Sequence, residues 1–148
     1  MSPKPFTLDS VLSYRKRQES VAQEKFVLAE LAVSKASEML AKEERDLQLL
    51  IHKLEKEQEA GIFAMDLARY QNRIEVGRAE VIRLQKILEE KRDIAVKKRR
   101  RLLEKAKEHK VLKTLKEQQN QSWREYLDKK EAAMLDEIAI LHHDRNSS

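Results

Sequence analysis

The sequence predicts an all-α protein: two long helices folded back on each other as an antiparallel coiled-coil hairpin, the second longer than the first. Three observations predict it. The 148 residues contain only 2 Gly and 2 Pro, and both prolines, Pro3 and Pro5, precede any helix-forming stretch. Charged residues make up 39% and aromatics 5%. Long helices carry this composition, because Ala, Glu, Lys, Leu, Arg and Gln keep most of their side-chain freedom in a helix. Apolar residues recur in alternating steps of three and four, the 3.5-residue repeat that holds one stripe against a partner helix.

Residues 1–6 read as a short flexible tail. Thr7 is the expected N-cap, its hydroxyl accepting an early backbone N–H, with Asp9 well placed in the first turn. Helix one is expected over about residues 7–59. Its seam runs Ala22, Phe26, Ala29, Val33, Ala36, Leu40, Leu47, Leu50 and Leu54, interrupted by Glu43. Continued backwards, the register passes Glu19 and Arg15 to Leu12 and Leu8.

Gly61 marks the break, since glycine accommodates the left-handed backbone just past a helix end. A turn is expected near residues 60–63 and helix two over about 64–142. The second seam reads Phe63, Leu67, Tyr70, Ile74, Val81, Leu84 and Leu88, with Gly77 at one of its positions. Beyond Leu88 the strict register decays, with Lys91 and Lys98 in the seam and a looser stripe through Ala95, Leu102, Leu112 and Leu115. Residues 143–148 read as a second flexible tail.

Two helices joined by a few residues fold back antiparallel. A turn centred near Gly61 places Thr7 opposite Leu115. At 1.5 Å per residue, helix one spans roughly 80 Å and helix two roughly 120 Å. The last residues of helix two, about 25 of them, then overhang without a partner in the chain. On this overhang Trp123, Leu127, Met134, Ile138 and Leu141 form one apolar stripe at helical spacing, with Tyr126 beside the only Trp of the chain. An isolated helix does not bury such a stripe, so a protein partner is expected to cover it.

Composition excludes whole classes of chemistry. The absence of Cys removes disulfides, thiolate metal sites and a cysteine nucleophile. No apolar run approaches the length of a membrane span, and the amino terminus lacks a secretory signal. The expected protein is soluble and cytoplasmic. A two-helix rod offers no water-excluding pocket, and the chain holds neither a Gly-rich phosphate loop nor a Ser/His/Asp arrangement, so an enzyme is not expected. No cofactor is expected either. His142 and His143 are adjacent and diverge on a helix, which argues against a metal site.

The net charge of +5 is unevenly placed. Residues 97–130 hold thirteen Lys and Arg against five Asp and Glu, a net of +8, which leaves −3 for the rest. Lys97–Arg101 is a run of five basic residues that sweeps round a helix instead of forming one face. An acidic protein surface or plain solvation suits it. Nucleic acid is not an expected partner, because the stacking aromatics or recognised module that such binding needs are missing nearby. Arg15, Lys16 and Arg17 form a smaller basic cluster near the root of the overhang.

Two segments carry a family resemblance. The first is Phe6-Thr7-Leu8-Asp9-Ser10-Val11-Leu12-Ser13-Tyr14-Arg15-Lys16-Arg17-Gln18-Glu19. The second is Trp123-Arg124-Glu125-Tyr126-Leu127-Asp128-Lys129-Lys130-Glu131, followed by Leu135-Asp136-Glu137-Ile138-Ala139. With Tyr70-Gln71 and Ile74, the chain resembles the FliJ family of the bacterial flagellar type III export apparatus. The resemblance implies a stalk-like adaptor that binds the hexameric export ATPase, FliI, and promotes its assembly and activity. It further implies contacts with the cytoplasmic domain of the export gate protein FlhA and with export chaperones, and a peripheral place at the inner-membrane apparatus. Matching ATPase-binding positions are Arg15, Lys16, Arg17, Trp123, Tyr126, Lys129, Lys130, Asp136, Glu137 and Ile138. Matching gate-binding positions are Tyr70 and Ile74. The expected protein is a monomer on its own. The alternatives are a generic scaffold that dimerises through its C-terminal helix and a basic nucleic-acid-binding coiled coil.

Overall fold

The computed structural model describes residues 7–147. The flexible tail expected at residues 1–6 lies outside them.

 Among the described residues there are two α-helices, α1 (Asp9–Ala60, 52 residues) and α2 (Ala64–Ser147, 84 residues), and no strand. The antiparallel hairpin with the longer second helix is therefore the fold.

The helix ends follow from local chemistry. The Leu12 N–H donates to the Leu8 carbonyl at 2.8 Å, so the N-cap position falls to Leu8, one residue later than the expected Thr7. Asp9 stands in the first turn, where a carboxylate suits the positive end of the helix dipole. At the other end Gly61 has φ 98°, and its N–H donates to the Gln58 carbonyl at 3.3 Å. That is the bond a left-handed glycine makes just past a helix end. Helix α2 opens with the Leu67 N–H donating to the Phe63 carbonyl at 3.0 Å. It runs on to Ser147, past the expected end near His142. Residues 143–147 contain neither Gly nor Pro, so nothing local stops it.

Packing divides the chain into two sections. In the section of residues 21–103, α1 buries Ala22, Ala29, Ala36 and Leu54, and α2 buries Ile74, Leu84 and Leu88. These are seam positions of the 3.5-residue repeat. An alanine at every seventh position leaves room for the larger side chains of α2, and a fully buried Leu contributes about 1.5–3 kcal/mol. Gly77 stands at a close approach of the helices: a Cβ there would stand 3.0 Å from Leu47 Cδ1. Its role is close approach. Phe63, expected to open the second seam, is instead 82% exposed. It precedes the first helical residue, so the helix period does not set its direction.

The register itself does not decay after Leu88. Lys91, Ala95, Lys98 and Leu102 continue the same three-four steps, and all are half-buried. Lysine stems cover the apolar seam while their ammonium groups reach water.

The other section comprises the described parts of residues 1–20 and 104–148. It has no fully buried residue among those described. Two ion pairs and a histidine–carboxylate contact join its helices instead. Arg15 meets Glu108 at 2.8 Å, His109 meets Glu19 at 2.5 Å, and Lys116 meets Asp9 at 3.1 Å. The midpoints of the Arg15–Glu108 and Asp9–Lys116 pairs fall at positions 61.5 and 62.5, just past Gly61. The residues after Gly61 belong to the turn, which moves the centre toward them.

Candidate protein-docking surface

The seam leaves α2 with two kinds of surface near its C-terminal end. Trp123 and Leu127 are half-buried, and the Trp123 and Tyr126 rings stack with centroids 5.4 Å apart and planes 22° from parallel. A spacing of three residues brings the rings onto one side of the helix. Around them Gln119, Ser122, Leu127 and Lys130 complete a shallow surface hollow. Two aromatic faces with a lysine at the rim make an amphipathic contact area of the sort that anchors protein interfaces.

From Asp128 to Asn146 every side chain is exposed. At about 100° per residue, Lys130, Met134, Glu137, Ile138 and Leu141 fall within roughly 60° of Trp123. Lys129 and Asp136 lie about 120–140° away, on another face. The expected ATPase-binding set on α2 is thus divided: Trp123, Tyr126, Lys130, Glu137 and Ile138 share a side, and Lys129 and Asp136 do not.

The basic cluster of α1 is divided too. Arg15 is half-buried, with Nη1 donating to Glu108 Oε2 and to Gln18 Oε1. Lys105 also reaches Glu108, at 3.3 Å. Lys16 and Arg17 are exposed. The Lys16 carbonyl accepts the Ser20 hydroxyl at 3.1 Å.

Tyr70 and Ile74 lie in the section of residues 21–103. Ile74 is 7% exposed, held in the seam. The half-buried Tyr70 hydroxyl donates to Glu57 Oε1 at 2.8 Å. That hydrogen bond to a carboxylate, with some desolvation, raises the Tyr70 pKa above 10.0. Of the two expected gate-binding residues, Tyr70 is the one with accessible surface, and Ile74 supports it from within the seam.

Sequence reasoning did not foresee that Glu108, Glu19, His109 and Asp9 knit the helices together. The signal was there: Glu19 and Arg15 hold seam positions on α1, and charged residues at a seam call for partners across it. Among the described residues no group of His, Asp and Glu is arranged to hold a metal ion, and no helix is long and apolar enough to cross a membrane.

The family model for the flagellar FliJ protein matches residues 3–148, nearly the whole chain. Neither the curated proteins nor the solved structures provide a match.

Proposed function

Because the chain belongs to the flagellar FliJ protein family, and so is a component of the flagellar protein export apparatus, we propose that it acts there as a non-enzymatic adaptor. In this proposal it binds the hexameric export ATPase in the manner of a central stalk and promotes assembly and activity of the ring. It links the ring to the export gate and to export chaperones, and is held peripherally at the inner membrane by those contacts.

One observation carries the proposal. The α2 segment from Trp123 to Leu141 shows a stacked aromatic pair and then Met134, Ile138 and Leu141 on the same side, all three more than half exposed. Apolar groups in that arrangement gain stability when a partner removes them from water. Lys16 and Arg17 supply exposed positive charge on α1 for the same contact. The accessible edge of Tyr70 is the proposed point of contact with the gate.

The test is ATP hydrolysis by the cognate export ATPase, titrated with this protein. A saturable rise supports the stalk. Changing Trp123 and Ile138 to Asp should abolish most of that rise while circular dichroism stays helical. If stimulation survives both changes, the Trp123–Leu141 face is not the ATPase contact.

A second reading rests on the additional exposure of Leu135 and Ile140, which lie off the Trp123 stripe. At about 100° per residue they flank that stripe on opposite sides, so apolar surface extends around much of α2, which suits a scaffold that dimerises through it. Sedimentation velocity separates the two: a persistent dimer on dilution favours the scaffold, a monomer the stalk.

A further inference from the structure

The turn between the helices holds side chains that a turn does not need. Phe63, in the turn, is 82% exposed and Met65, in the first turn of α2, is 71% exposed; they stand two and four residues from Gly61. Solvent-facing turns ordinarily use Gly, Asn, Asp and Ser, which satisfy the backbone locally.

Phe63 also breaks a rule of helix starts. Its carbonyl accepts the Leu67 N–H, so it holds the N-cap position of α2. Ser, Thr, Asp or Asn at this position would accept a hydrogen bond from one of the first N–H groups, and Phe has no atom that can. Ile62 and Leu67 hold the flanking positions of a hydrophobic staple and are both half-buried, so the entry of the chain into α2 is already fixed without the phenyl ring. The ring therefore weakens the cap and gains no burial in return. A local rule broken without an internal compensation is the mark of a functional position.

The surroundings select the partner. Glu55, Glu57, Glu59 and Asp66 bring four carboxylates to this end, against Lys56 and Arg69. Residues 55–70 thus carry a net charge of −2 in a chain whose net charge is +5, with Lys53 and Arg73 standing further from the turn. An anionic leaflet repels such a collar, and so does a second copy of the same tip. We propose that this end of the hairpin, through Phe63 in the turn and Met65 in the first turn of α2, docks into an apolar pocket rimmed by Lys or Arg on another protein. The proposal rests on the export reading only for its functional readout. The ATPase titration above succeeds or fails independently of it.

The test uses the full chain in its native host, in place of the chromosomal copy. Phe63→Ser supplies the missing cap, so the melting temperature of the purified protein should hold or rise by about 2 °C. Flagellar export, read as secreted filament protein, should nonetheless fall about tenfold, the size of effect that loss of an aromatic anchor has. Phe63→Leu, which keeps an apolar group, should restore most of it. A photoreactive benzoylphenylalanine at position 63 should crosslink in cells to one protein, at an apolar segment flanked by Lys or Arg, and the adduct should weaken in Met65→Asp. Wild-type export by Phe63→Ser overturns the proposal. So do crosslinks that are absent, scattered, confined to lipid, or made to a second copy of this chain.

Discussion

Gly77 faces Leu47 so closely that a Cβ on the glycine would stand 3.0 Å from Leu47 Cδ1. A mid-helix glycine costs about 1 kcal/mol relative to alanine. Here that cost accompanies a helix approach that a side chain would obstruct. Gly77→Ala in the native background should therefore gain less than the full propensity term, because Leu47 must move. In a Leu47→Ala background, where the obstructing atom is gone, the same change should stabilise by about 1 kcal/mol. Urea denaturation of the four proteins reads the difference. Equal effects in both backgrounds would remove the close approach as the reason for glycine.

The ion pairs between residues 9–20 of α1 and 104–116 of α2 lead to a second prediction. Arg15–Glu108 has side chains 34% and 40% exposed, and such a pair contributes about 0–1 kcal/mol and is screened by salt. Apolar seams are not weakened by screening. Amide exchange over residues 9–19 and 105–116 should accelerate between low salt and about 1 M salt. Exchange around Leu54, Ile74 and Leu84 should not accelerate. Uniform acceleration along both helices would show that the charged contacts do not hold that section together.

Much of this architecture was legible in the sequence. The three-four spacing from Ala22 to Leu54 and from Leu67 to Leu88 placed both seams, and Gly61 placed the break, because each rests on a local signal. Beyond Leu88 the seam positions were legible but their burial was not. Lys91 and Lys98 are polar by type yet half-buried by position, and a hydropathy pattern does not register a buried stem under an exposed charge. Phe63 was misplaced for a related reason: its apolar character fits the seam, but its position in the turn takes it off the helix. At the candidate docking surface the residue types were legible and their division among faces followed from the helix period. The pairing of Arg15 with Glu108 was not, since 93 residues separate them in sequence and only the fold brings them together.

A third prediction concerns Tyr70. Its hydroxyl donates to Glu57, and this bond is the first cause of a pKa raised above 10.0. Folding thus favours the neutral phenol. Any stability it contributes is complete below pH 10.0 and is lost as pH climbs through the raised value. With Tyr14 and Tyr126 replaced by Phe, absorbance of the remaining phenolate reports Tyr70 alone. Its midpoint should lie above 10.0 and should move back toward 10.0 in Glu57→Ala. A midpoint indifferent to Glu57 would contradict the hydrogen bond.

The division within Arg15, Lys16 and Arg17 yields the last prediction. Arg15 is joined to Glu108 and Gln18, so truncating it leaves Glu108 with Lys105 as its remaining cationic contact. Arg15→Ala should lower stability, by about 1 kcal/mol or less because the site is partly solvated. Lys16 and Arg17 are exposed and have no cross-helix partner among the described residues. Changing both to Ala should leave stability within about 0.5 kcal/mol, as surface substitutions do. If these two residues meet the export ATPase, the double change should weaken its stimulation, most visibly at low salt where exposed charges act at longer range. The comparison separates a structural effect from a docking effect within three consecutive residues. Loss of stimulation in Arg15→Ala that tracks its loss of helicity, with none in the Lys16/Arg17 double variant, would assign the cluster to hairpin stability alone.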